Sequence, residues 1–203
     1  MGSDKLESSF WLLAASLWQL STHIEKRTTN NEQRITNNST SKIQHSKLQN
    51  MNFTQFPHID FKALRNELKP ETPAQFGSMN AQQMIEHVSL IYDYVLSDMV
   101  IKVLTPEEKI EKVKKLFLWS PGGFKQGVTN EVTQSLSFET KYADMEEAIN
   151  EFEKRHHLVA DALANNLVIG KTHPIFGLLN TEEWTQFFTK HTWHHFNQFG
   201  LIS

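Results

Sequence analysis

Residues 180–199 read Asn-Thr-Glu-Glu-Trp-Thr-Gln-Phe-Phe-Thr-Lys-His-Thr-Trp-His-His-Phe-Asn-Gln-Phe, and they constrain the fold more than any other stretch. Trp184, Phe187, Phe188, His191, His195 and Phe199 recur at spacings of three and four. That period puts them on one face of a helix, and so aromatic a face must be buried against other elements. The helix has a start and a stop. Asn180 and Glu183 form a capping box, and Gly200 supplies a left-handed end. His191 and His195 therefore lie one turn apart within an aromatic stripe. At that spacing Cβ atoms are about 5–6 Å apart, and two imidazoles can reach one cation at M–N distances of roughly 2.0–2.1 Å.

A second capped helix carries a third such histidine. Asn80 and Gln83 form a capping box, and Met84, Val88, Ile91 and Val95 make the apolar stripe of a helix running to about Ser97. His87 falls within that stripe. A buried neutral imidazole needs partners for both ring nitrogens, and three rings converging on one metal supply one partner each.

Composition narrows the chemistry. The chain has 203 residues, a formal charge of −3 and no cysteine. Near-neutral balance argues against a nucleic-acid binder, which needs a basic face. Without cysteine, disulfides, thiolate metal sites and thiol nucleophiles are excluded, so a metal site must be built from histidine and carboxylate. No apolar run approaches the roughly 20 residues that span a bilayer. The expectation is a cytoplasmic protein acting on a small molecule, with no nucleic-acid or membrane partner; homodimerisation is left open.

The chain divides in two. Residues 1–50 contain a near-direct heptapeptide repeat, Glu25–Asn31 and Glu32–Asn38, and an Asn/Thr/Ser-rich tract with too little apolar surface to offset backbone ordering. This part is read as a disordered or non-native extension, with translated tandem-repeat DNA as its source. Phe10 to Leu20 has the length of a signal-peptide core, but Asp4 and Glu7 spoil the basic flank and no small-residue cleavage site follows. The functional chain is expected to start at Met51, giving one domain over 51–203.

Within that domain several segments have helical periodicity. A short helix passes through Leu64 and Leu68 and ends by Pro70. Thr105-Pro106-Glu107-Glu108 opens another, with Pro106 at the first helical position, Ile110, Val113, Leu116 and Phe117 inward, and Lys109, Lys112, Lys114 and Lys115 outward. The run from Trp119 to Phe138 has no helical period and reads as a lid or crossover. Met145, Ile149, Phe152, His156, Val159 and Leu163 alternate by four and three on a long helix from about Tyr142 to Asn165. Strands are nowhere persuasive. The fold class is all-α, a four-helix bundle.

The other histidines divide by setting. His23, His45 and His58 read as surface residues or satisfied core groups, and His157 and His194 as peripheral to the stripes. His156 lies on the seam of the long helix and is a further candidate to approach the site. His173, before Pro174 in a loop, could fold over its mouth.

Met79-Asn80-Ala81-Gln82-Gln83-Met84-Ile85-Glu86-His87, His173-Pro174-Ile175-Phe176-Gly177, Glu183-Trp184 and the run from His191 to Gly200 together resemble the DinB/YfiT-like superfamily. The nearest likeness is to a bacterial branch ending in His-x2-His-His-x-x-Gln-Phe-Gly. The resemblance covers about Asn52 to Ser203. It implies an up-down-down-up four-helix bundle and a divalent metal held by His87, His191 and His195. It also implies a choice of activities. Some members resemble transferases that use bacillithiol or mycothiol, including a maleylpyruvate isomerase, and others are metal-binding proteins only. The branch further resembles a segment appended to phenylacetate-degradation enzymes acting on CoA thioesters.

Three neutral imidazoles leave a divalent ion its full charge and at least one open position, as in a catalytic site. Zinc, nickel and iron all suit such ligands. The spacing is not that of a zincin, since Thr192, Trp193 and His194 intervene without a glutamate. Glu86 adjoins His87 but points about 100° away around the helix, so no general base is assigned. A thiol nucleophile would have to come from a low-molecular-weight cofactor. The sequence thus supports a metal-dependent transferase or hydrolase, with a non-catalytic metal-bearing accessory module as the competing class.

Overall fold

The computed structural model describes residues 54–124, 140–168 and 170–202. The expected extension over 1–50, with His23 and His45, and most of the expected lid lie outside them. Five helices carry the described fold: α1 Phe61–Glu67, α2 Ala81–Leu96, α3 Glu107–Phe117, α4 Met145–Ala164 and α5 Thr181–Gln198. The fold is all-α, as expected. None of these helices is long and apolar enough to cross a membrane.

Capping residues set the helix bounds. Asn80 and Asn180 each close a capping box with Gln83 and Glu183. Asp144 accepts from the Glu147 N–H, so α4 starts at Met145 rather than near Tyr142. Pro106 stands just outside α3, which begins one residue later than expected. Gly200 ends α5 region with φ +70°, a left-handed value suited to glycine.

The core lies chiefly between α2 and α4, with α5 packed against them. Every expected stripe residue of α2 and α4 is buried: Met84, Val88, Ile91 and Val95 on one, Met145, Ile149, Phe152, His156, Val159 and Leu163 on the other. On α5 burial goes beyond one face. From Glu183 to Thr192 every residue except Thr185 is buried, so α5 is covered on more than one side.

Burying the polar side of a helix requires partners, and α3 provides them. Gln186 donates to the Leu118 carbonyl at 2.8 Å, while Lys190 Nζ donates to those of Phe117 and Ser120 at 2.8 and 2.6 Å. The last carbonyls of α3 are thus capped by side chains of α5, a solution to the open C-terminus of any helix.

Three local expectations need correction. Lys114 is buried rather than outward, because its ammonium meets Glu183 at 2.9 Å and donates to the Leu178 carbonyl. Leu116 is exposed rather than inward, because α3 packs along a narrow strip centred on Val113. A two-residue ladder, β1 Thr172–His173 against β2 Gly177–Leu178, interrupts the connection from α4 to α5. Two residues per strand are too few to leave an alternating pattern in sequence.

Candidate metal centre

His87 comes from α2, and His191 and His195 from successive turns of α5. The structure brings these three together: one nitrogen from each lies within 4.8 Å of the others. His87 Nε2 and His191 Nε2 are 3.2 Å apart. The ring centroids of His195 stand 4.5 Å from His87 and 4.6 Å from His191. Two nitrogens at roughly 2.0–2.1 Å from one tetrahedral ion would be about 3.3–3.4 Å apart, so the His87–His191 separation fits a shared cation.

Neighbouring side chains hold the rings. Phe187, one turn before His191, stacks on it at 5.3 Å with 16° between planes. His195 Nδ1 lies 3.1 Å from Gln198 Oε1. His191 and His195 are buried, whereas His87 is partly exposed. His87 is thus the least buried of the three.

The electrostatics favour neutral rings. Burial, followed by the charge of His194, pushes His87 down to about 4. Burial and then the neighbouring rings hold His191 and His195 well below the usual histidine value. Three like charges cannot share this volume outside water. Neutral imidazoles are the form that ligates metal, so the donor chemistry and the spacing agree.

Among the described residues no other histidine joins this ligand set. His194 Nδ1 faces the Phe124 carbonyl at 3.3 Å, while its ring stands edge-on to His195 at 5.0 Å. His58 and His157 are exposed. His156 does not approach the cluster; it stacks on Phe56 at 4.7 Å, with Nδ1 3.3 Å from the Tyr92 hydroxyl. His173 does not cover a mouth. It is wholly buried beside Phe176 and Phe187, and its Nδ1 accepts from the backbone of Ile175 and Phe176. Its ring stabilises the turn of the ladder.

Glu86 is committed elsewhere, accepting from the Lys141 and Tyr142 backbone N–H groups and from Gln82. It anchors the chain entering α4. Among the described residues no carboxylate joins the three histidines. Gln198 escaped the sequence reading as a contributor, although its position three residues beyond His195 was the available signal.

A family model described as the DinB superfamily matches residues 47–199. No curated protein and no solved structure matches the chain.

Proposed function

The chain belongs to the DinB superfamily, and on that premise we propose that it is a divalent-metal-dependent enzyme, a transferase or hydrolase, whose ion is held by His87, His191 and His195. The supporting observation is the group itself: three imidazoles within 4.8 Å, joined by no carboxylate among the described residues. Three neutral ligands leave the ion its charge and an open position. When bound, it supplies Lewis acidity toward an oxygen or sulfur donor. The protein's own residues bind and orient. His87, His191 and His195 present lone pairs, Phe187 fixes one ring plane, and buried α5 keeps bulk water from the inner side. His87, the least buried of the three, marks the side from which a small substrate would approach.

The chain has no cysteine, so thiol chemistry would use a low-molecular-weight thiol as co-substrate, in a cytoplasmic setting. Zinc, nickel and iron all fit three imidazoles. A second reading follows from where the ligands come from. Because they bridge α2 and α5, the ion would also tie two helices together, as in a non-catalytic accessory module.

Metal analysis of the purified protein, followed by a transfer assay with a small thiol and an electrophilic substrate series, tests the proposal. About one ion per chain and metal-dependent turnover are expected. One ion without turnover, and with unfolding on chelation, would favour the staple; absence of metal after reconstitution would overturn both readings.

A further inference from the structure

Gln198 makes two side-chain contacts at the end of α5. Its Nε2 donates to the Phe76 carbonyl at 2.7 Å, and its Oε1 lies 3.1 Å from His195 Nδ1. A backbone carbonyl can only accept, so the amide end facing Phe76 must be the NH2. The end facing His195 is then the oxygen, which also only accepts. His195 Nδ1 must therefore carry the proton, and the Nε2 lone pair is left for the cluster.

The turn that receives this amide is itself tied to α5. The backbone carbonyl of Gln198 accepts from the Gln75 N–H at 2.7 Å, joining α5 to the turn over 75–77. Gly77, at φ +81°, lies so close that a Cβ there would come within 2.4 Å of Gln198 Nε2. The left-handed backbone at Gly77 favours glycine in this turn.

We infer that Gln198 is a positioning residue which fixes the His195 tautomer, directing Nε2 toward the point shared with His87 and His191 before any ligand arrives. Its use at a metal rests on the proposed function, but the tautomer does not. A histidine ligand commonly donates its second ring N–H to an acceptor, and loss of that acceptor costs roughly 10–100-fold in metal affinity.

The test reads ring tautomers by long-range 1H–15N correlation on chelated protein with 15N-labelled histidine, together with Zn(II) affinity by competition. His195 should carry its proton on Nδ1 in the unaltered chain. Gln198→Glu keeps an acceptor and should keep both the tautomer and near-normal affinity. Gln198→Met keeps length without an acceptor; it should lose the single tautomer and bind Zn(II) about 10–100-fold more weakly. A purely structural role would disturb both variants alike. The inference is overturned if unaltered His195 is protonated on Nε2, a reading that needs no variant to fold, or if Gln198→Met changes neither property. An Nδ1–H tautomer in a chain that binds no Zn(II) would uphold the contact and sink the metal reading.

Discussion

Lys114 Nζ lies 2.9 Å from Glu183 Oε1, joining α3 to the first turn of α5. Glu183 also accepts from the Asn180 N–H through Oε2, so one carboxylate closes a capping box and neutralises a buried cation. Both side chains are about a tenth exposed. Removing one member of such a pair leaves the other desolvated and uncompensated, a cost of about 3–5 kcal/mol. Lys114→Met should therefore lower the unfolding free energy obtained from urea titration by that amount, while Lys115→Met, at an exposed position, should change it little.

Metal binding should depend on three histidines and not on their neighbour. His87→Ala, His191→Ala and His195→Ala should each abolish stoichiometric binding in equilibrium dialysis. His194→Ala should leave it nearly intact, since that ring faces the Phe124 carbonyl. Full metal content in a variant lacking both His191 and His195 would show that the ligands are elsewhere.

The stabilisation conferred by metal should fade with acid. Ligating rings must be neutral, and unfolded histidine titrates near 6.5. Below that value protons compete for the ligands, so the melting-temperature difference between loaded and chelated protein should be large at pH 8 and small at pH 5. Helical circular dichroism of the chelated protein at pH 8 should persist, because the core is far larger than that of a zinc finger.

Metal-free protein should itself weaken in acid, in part through buried histidines outside the ligand set. Burial, then the charge of His157, lowers His156 to about 4, and burial lowers His173 to about 3. Both are depressed relative to the unfolded value of about 6.5. Between that value and the folded ones the unfolded chain binds more protons, so stability falls as pH falls. For His156 the shift from 6.5 to about 4 corresponds to about 3 kcal/mol. Denaturant titrations from pH 7.5 to 4.5 should show the decline, and His156→Phe should make it shallower. An unchanged slope would mean His156 is not neutral in the fold.

The aromatic stripe should carry much of the stability. Trp184 and Phe187 are completely buried and touch each other at 5.9 Å between centroids. Trp184→Ala or Phe187→Ala should cost about 3–5 kcal/mol in equilibrium unfolding. Phe187→Ala should additionally weaken metal binding, since it frees the ring of His191.

Which residues face inward was largely legible before folding, and which of them meet was not. The apolar period and paired capping boxes set the phase of α2 and α5, so Met84, Val88, Trp184, Phe188 and the three clustered histidines were assigned to buried faces from local pattern alone. A period reports azimuth about a helix's own axis. It says nothing of height along that axis or of the neighbour opposite. His156 has the same stripe signature as His87, yet its height on α4 places it against Tyr92 and Phe56. Lys114 resembled the other lysines of its run until the approach of α5 supplied Glu183. The Gln198 contact needed the turn at Phe76, 122 positions earlier. By itself the sequence determined helix type, caps and the inward histidines, because those depend on interactions within a few residues. Only the tertiary structure decided which inward groups share a site, because that depends on how separate helices cross.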